Sequence, residues 1–67
     1  MNEHSLLYGM VITEPRRGND PWRGTVRVAW AGQEKRLTAE AVNGHELSAK
    51  LLEVARVFCA ASGWPDI

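Results

Sequence analysis

The chain has 67 residues, 45% of them hydrophobic, with eight Lys and Arg balancing eight Asp and Glu. That length allows one domain, 1–67, burying only about 60% of its unfolded surface, which leaves no room for a large catalytic scaffold; the apolar content argues against disorder. The zero net charge speaks against a dedicated polyanion-binding domain, which usually carries a positive excess.

From Leu6 to Thr13 the residues alternate, with Leu6, Tyr8, Met10 and Ile12 on one face of a predicted strand. Gly9 interrupts the other face and marks a bulge or a close neighbour. Pro15-Arg16-Arg17-Gly18-Asn19-Asp20-Pro21 stops that strand, because proline and glycine supply turn geometry and proline removes a ladder donor. The predicted loop runs from Pro15 to Gly24. Alternation resumes from Thr25 to Trp30, with Val26, Val28 and Trp30 on one side and Thr25, Arg27 and Ala29 on the other. Ala31-Gly32-Gln33 is a tight turn, and Lys35 to Ala39 reads as a short third strand with Leu37 inward.

A helix follows. Asn43 is a good N-cap with Glu46 in capping-box position. Gly63 suits a left-handed C-terminal residue, Trp64 can fold back onto Phe58 or Cys59, and Pro65 forbids continuation. At about 100° per residue, Leu47, Leu51, Val54 and Phe58 form one apolar stripe, with Leu52 and Cys59 to one side and Val57 to the other. Such an arc is wider than one small sheet covers. Either Trp30 and Trp64 wrap its flanks, the arrangement preferred for a monomer, or Leu52 and Cys59 are buried by a second chain in a homodimer.

Charge is unevenly placed. Between Pro15 and Arg36, six basic residues face Asp20 and Glu34, leaving about +4 there and about −4 elsewhere. Such a dipolar chain can steer toward an acidic partner.

No nucleophile stands beside a base. His4 and His45 are the two histidines, and their spacing to Cys59 is not that of metal ligands. Cys59 lies near the apolar arc, where a thiol is usually inert packing. Glu46 is committed to capping and Glu53 can pair with Arg56. The glycines form no phosphate-cradling loop. Neither an enzyme nor a cofactor is expected. Met1-Asn2-Glu3-His4 is not basic, Leu6 to Ile12 is too short and broken for a secretory signal, and no apolar run approaches the roughly 18 residues of a membrane span. The single cysteine, Cys59, fits a reducing compartment. A cytoplasmic location is the expectation.

Pro21-Trp22-Arg23, beside Arg16 and Arg17, joins residue types that dominate interface hot spots, on a loop longer than a hairpin needs. The opposing explanation is that Trp22 caps the sheet edge. The sheet face away from the helix should show Thr25, Arg27, Ala29, Arg36 and Thr38, which also suits entry into a DNA major groove.

The string Val11-Ile12-Thr13-Glu14-Pro15-Arg16, the hairpin after it and the helix closing at Gly63-Trp64-Pro65 carry a resemblance. Over about residues 10–65 the layout is similar to small phage-encoded anti-CRISPR proteins, particularly inhibitors of type I-F surveillance complexes. The resemblance implies a stoichiometric inhibitor that binds a Cas effector subunit in the host cytoplasm and blocks recruitment of target DNA or nuclease. Those proteins share no common motif, so no site residue carries over by position. Many of them are acidic DNA mimics, whereas this loop is basic; the contact would be an acidic protein patch, or the acidic half would do the mimicking. The strand–strand–strand–helix order also resembles the arm-type DNA-binding domain of phage integrases, where the sheet enters the major groove. That would make the chain a DNA-binding accessory protein of a mobile element.

The expectation is therefore an α+β protein, three antiparallel strands against one C-terminal helix, that works by binding another protein. Arg16, Arg17, Trp22 and Arg23 are the expected contacts, followed by Arg27 and Arg36. Trp22→Ala with Arg23→Ala should then weaken binding and leave the melting temperature nearly unchanged.

Overall fold

The computed structural model describes residues 6–67, so His4 lies outside the described residues. The elements are β1 (Leu7–Thr13), β2 (Trp22–Trp30), β3 (Gln33–Ala41) and α1 (Gly44–Ser62). The strands form one open antiparallel sheet in the order β1-β2-β3, and α1 packs on one side of it, mostly over β2 and β3. This is the predicted β-β-β-α layout.

Two strands are longer than the sequence suggests. β2 begins at Trp22 rather than Thr25, and β3 runs from Gln33 to Ala41 rather than from Lys35 to Ala39. The period of two simply continues backward: Trp22, Gly24, Val26, Val28 and Trp30 share the helix side, and Arg23, Thr25, Arg27 and Ala29 the other. Gly24 looks like a turn residue but is a packing residue. A Cβ placed there would lie 2.7 Å from Leu51 Cδ1 and 2.9 Å from the Val11 carbonyl oxygen. Only glycine lets the helix approach the sheet so closely at this point.

β2 turns into β3 through Ala31 and Gly32, both with positive φ (53° and 80°), between the paired residues Trp30 and Gln33. Two left-handed residues in a two-residue loop match the right-handed twist of the flanking strands.

The helix caps are as the sequence predicts. The Glu46 amide donates to Asn43 Oδ1 at 2.7 Å. At the other end Gly63 has φ 74°, its amide donates to the Ala60 carbonyl, and the Trp64 amide donates to the Cys59 carbonyl at 2.8 Å. That pair of bonds is the Schellman arrangement, and it turns Trp64 back onto the helix. Trp64 meets Phe58 edge-on at 5.0 Å and Trp30 at 6.1 Å. The two tryptophans thus meet beside Phe58 at that end of the core.

The buried line of the helix differs from the predicted stripe. Leu47, Leu51, Ala55 and Cys59 are buried, together with Val26, Val28 and Ala41 of the sheet. Val54 and Phe58 are half-buried on the β3 flank, where Lys35 Nζ lies 5.9 Å from the Phe58 ring centroid. Leu51 and Leu47 are the helix side chains over Gly24, whose missing Cβ makes room for them, and Val54 and Phe58 lie to one side of that line.

Candidate functional site

Because α1 covers one side of the sheet, the other side is open to solvent. The register lays its residues in rows: Leu7 beside Ala29 and Glu34, Gly9 beside Arg27 and Arg36, Val11 beside Thr25 and Thr38, Thr13 beside Arg23 and Glu40. Leu7 and Val11 are 67% and 69% exposed.

Three shallow hollows of about 450, 520 and 580 Å³ lie along this face and share walls. The first sits between the loop and Arg23, with Arg16 and Arg17 on its rim. The second shares Thr13 and Arg23 with it and continues past Thr25 to Thr38 and Glu40. The third shares Val11 and Thr25 with the second and ends at Gly9, Arg27 and Arg36. Gly9 makes that end possible: a Cβ there would have nothing within 4 Å, so the missing side chain leaves a notch beside the arginine pair. Together the hollows form one trough that runs along the strands on this face.

Local carboxylates hold the arginines in place. Arg23 Nε lies 2.6 Å from Glu40 Oε2 in a direct cross-strand pair. Arg36 Nε is 3.1 Å from Glu34 Oε1, and Arg27 Nη1 is 3.9 Å from Glu34 Oε2. All these groups are exposed, so each pair contributes at most about 1 kcal/mol. One glutamate therefore serves two guanidinium groups placed directly opposite each other.

The structure gathers Arg16, Arg17, Arg23, Arg27 and Arg36 along one trough. It does not bring Trp22 there. Trp22 belongs to β2, points to the helix side and is half-buried against the core. A Cβ on Gly44 would lie 2.9 Å from its Cζ3 atom, so the indole rests on the first turn of the helix. The loop is correspondingly shorter than expected, and the Arg17-to-Asp20 stretch is tied by an Asp20 amide donating to the Arg17 carbonyl at 3.1 Å.

The self-association pair is also divided. Cys59 is buried within its own chain and Leu52 is half-buried. Burial, with a smaller contribution from Asp66, pushes the Cys59 thiol above its ordinary range, which keeps it protonated and unreactive near neutral pH. His45 is exposed in the first turn of the helix, and no cluster of three or more His, Cys, Asp or Glu residues occurs among the described residues. Arg56 lies 4.0 Å from Asp66, a different carboxylate from the Glu53 that helical spacing suggests. Sequence reasoning missed Gly9, Val11 and Glu40 as trough residues. Gly9 in mid-strand was the available signal, since a missing side chain on an exposed sheet face leaves a hollow.

No protein-family model, curated protein or solved structure matches this chain significantly. None of the described helices is long and apolar enough to cross a membrane.

Proposed function

We propose that this chain is a non-catalytic binding protein that seats a protein partner on the open face of its sheet, along the arginine-lined trough. The observation that carries this reading is the pair Arg27 and Arg36, directly opposed in the middle of that face beside exposed Val11. Like charges directly opposite destabilise a sheet, and among the described residues Glu34 is the one carboxylate ion-paired to both. An incoming carboxylate completes the charge balance, and the neighbouring valine and leucine supply apolar area. Arginine is among the residue types enriched at interface hot spots.

Glu34 and Glu40 share the face with Arg23, Arg27 and Arg36. Mixed charge of this kind suits a protein surface offering carboxylates and apolar groups better than a uniformly anionic strand. An inhibitor of a Cas surveillance complex, which the layout resembles, would use this same face against an acidic patch of an effector subunit. Duplex DNA is the second reading, supported by Thr25 and Thr38 paired next to the arginines, since threonine can meet a thymine methyl while arginine takes guanine.

Arg27→Ala combined with Arg36→Ala tests both. The double variant should keep its melting temperature and weaken binding of a partner captured by the native chain about 30-fold, corresponding to ~2 kcal/mol. Unchanged affinity would remove the proposal. Duplex binding at low salt that weakens steeply as salt is added would establish the DNA reading in its place.

A further inference from the structure

Among the described residues β1 and β3 are the edges of the sheet, and they differ in kind. β3 is guarded: its sequence carries Glu34, Lys35, Arg36 and Glu40, and Lys50 reaches from the helix to donate from Nζ to the Glu40 carbonyl at 2.9 Å. Charged side chains and a carbonyl already taken are the usual protections of an edge strand. β1, Leu-Tyr-Gly-Met-Val-Ile-Thr, has no charge and no proline over seven residues.

β1 is also poorly covered on its inner side. The helix sits mostly over β2 and β3, and Tyr8 remains 41% exposed although it points to the helix side. Met10 and Ile12 are half-buried on the same side. Phe58 and Lys50 mark the β3 flank of the helix; Leu52, about 120° around the axis from Phe58, lies on the opposite flank, toward β1. Among the described residues nothing pairs with the β1 edge, and an apolar strip of Tyr8, Met10, Ile12 and Leu52 adjoins it.

We infer that a second copy of this chain occupies the β1 edge, pairing β1 antiparallel to β1 about a twofold axis at Met10 and making one continuous six-stranded sheet. The register is constrained. Keeping both helices on the same side requires residues of equal face to pair, and centring the strands sets Leu7 opposite Thr13, Tyr8 opposite Ile12 and Met10 opposite Met10. This places no like charges opposite each other. The corresponding β3–β3 pairing about Leu37 would set Glu34 against Glu40, so a twin chain fits β1 and is repelled at β3. The twofold also brings both Leu52 residues to the border of the shared apolar strip and lays two troughs on one broad face. The pairing stands whether or not the trough binds a partner, because it is read from the isolated chain.

Sedimentation equilibrium of the purified chain tests the pairing. The expected mass is twice the 7.5 kDa of the monomer, and Tyr8→Glu, outside the trough, should weaken the dimer about tenfold or more while circular dichroism stays native. A mixture of Leu7→Cys and Thr13→Cys chains should oxidise to a mixed disulfide dimer, which neither variant forms alone, since the like positions lie roughly 20 Å apart along the strands. A chain that stays monomeric into the millimolar range overturns the inference. So does a dimer in which a mixture of Glu34→Cys and Glu40→Cys chains cross-links and the β1 mixture does not.

Discussion

Trp22 shows how the same side chain changes meaning with one boundary. Placed on a loop tip it would be a contact residue; placed at the start of β2 it is a wall of the core, resting on Gly44. Pro21 and Gly24 mislead because both residue types punctuate turns, yet Pro21 precedes the strand and Gly24 makes room for Leu51 and Leu47. The consequence reverses the expectation from sequence. Trp22→Ala should destabilise the fold by about 2–4 kcal/mol, read as a clear fall in melting temperature, whereas Arg23→Ala, which loses one exposed ion pair, should stay within about 1 kcal/mol. Equal melting temperatures for the two variants would return Trp22 to the surface.

Cys59 makes the same point with a chemical readout. Sequence spacing puts it beside the apolar stripe; the structure makes it the last residue of the buried helix line. Its folded-state thiol is raised above the ordinary value of 9.0, so the folded chain holds that proton more tightly than the unfolded one. Stability from this group is fully present below pH 9.0 and falls as pH rises toward the higher folded value. Alkylation at neutral pH should be slow in the native chain and fast in denaturant. Rapid labelling of the native chain would show an exposed thiol.

Among the elements, order and type were legible from residues alone, and the helix most of all. Asn43, Glu46, Gly63 and Pro65 specify its ends through backbone hydrogen bonding, a local matter that sequence states directly. Which side of the helix faces inward was less legible. Hydropathy favours Val54 and Phe58 over Ala55 and Cys59, but the helix is seated by Leu47 and Leu51 over Gly24, and the buried line continues from them through Ala55 and Cys59. The outer strand face was readable in part: Thr25, Arg27, Arg36 and Thr38 follow from alternation, while Gly9 and Glu40 join them only through the register. The β2–β3 hairpin carries its own test. Ala31 is held at φ 53°, a conformation that costs a residue with a Cβ about 1–2 kcal/mol. Ala31→Asn should stabilise the chain by about 1 kcal/mol, raising the melting temperature by several degrees; a lowered value would mean the turn is not of this type.

The molecule as a whole is a thin two-layer body, with its core on one side of the sheet and Arg23, Arg27 and Arg36 on the other. Exposed residues of the trough can therefore change without disturbing the buried Val26, Leu47 or Leu51. The same layout also provides a matched control, because Val11 on the sheet face and Val57 on the helix are exposed to similar degrees. A photo-reactive phenylalanine analogue placed at position 11 or at position 57, irradiated in extract from the cells that hold the partner, compares the two surfaces directly. A covalent protein adduct from position 11 and none from position 57 is the result expected if the open sheet face is the contact surface. An adduct from position 57 alone would contradict it.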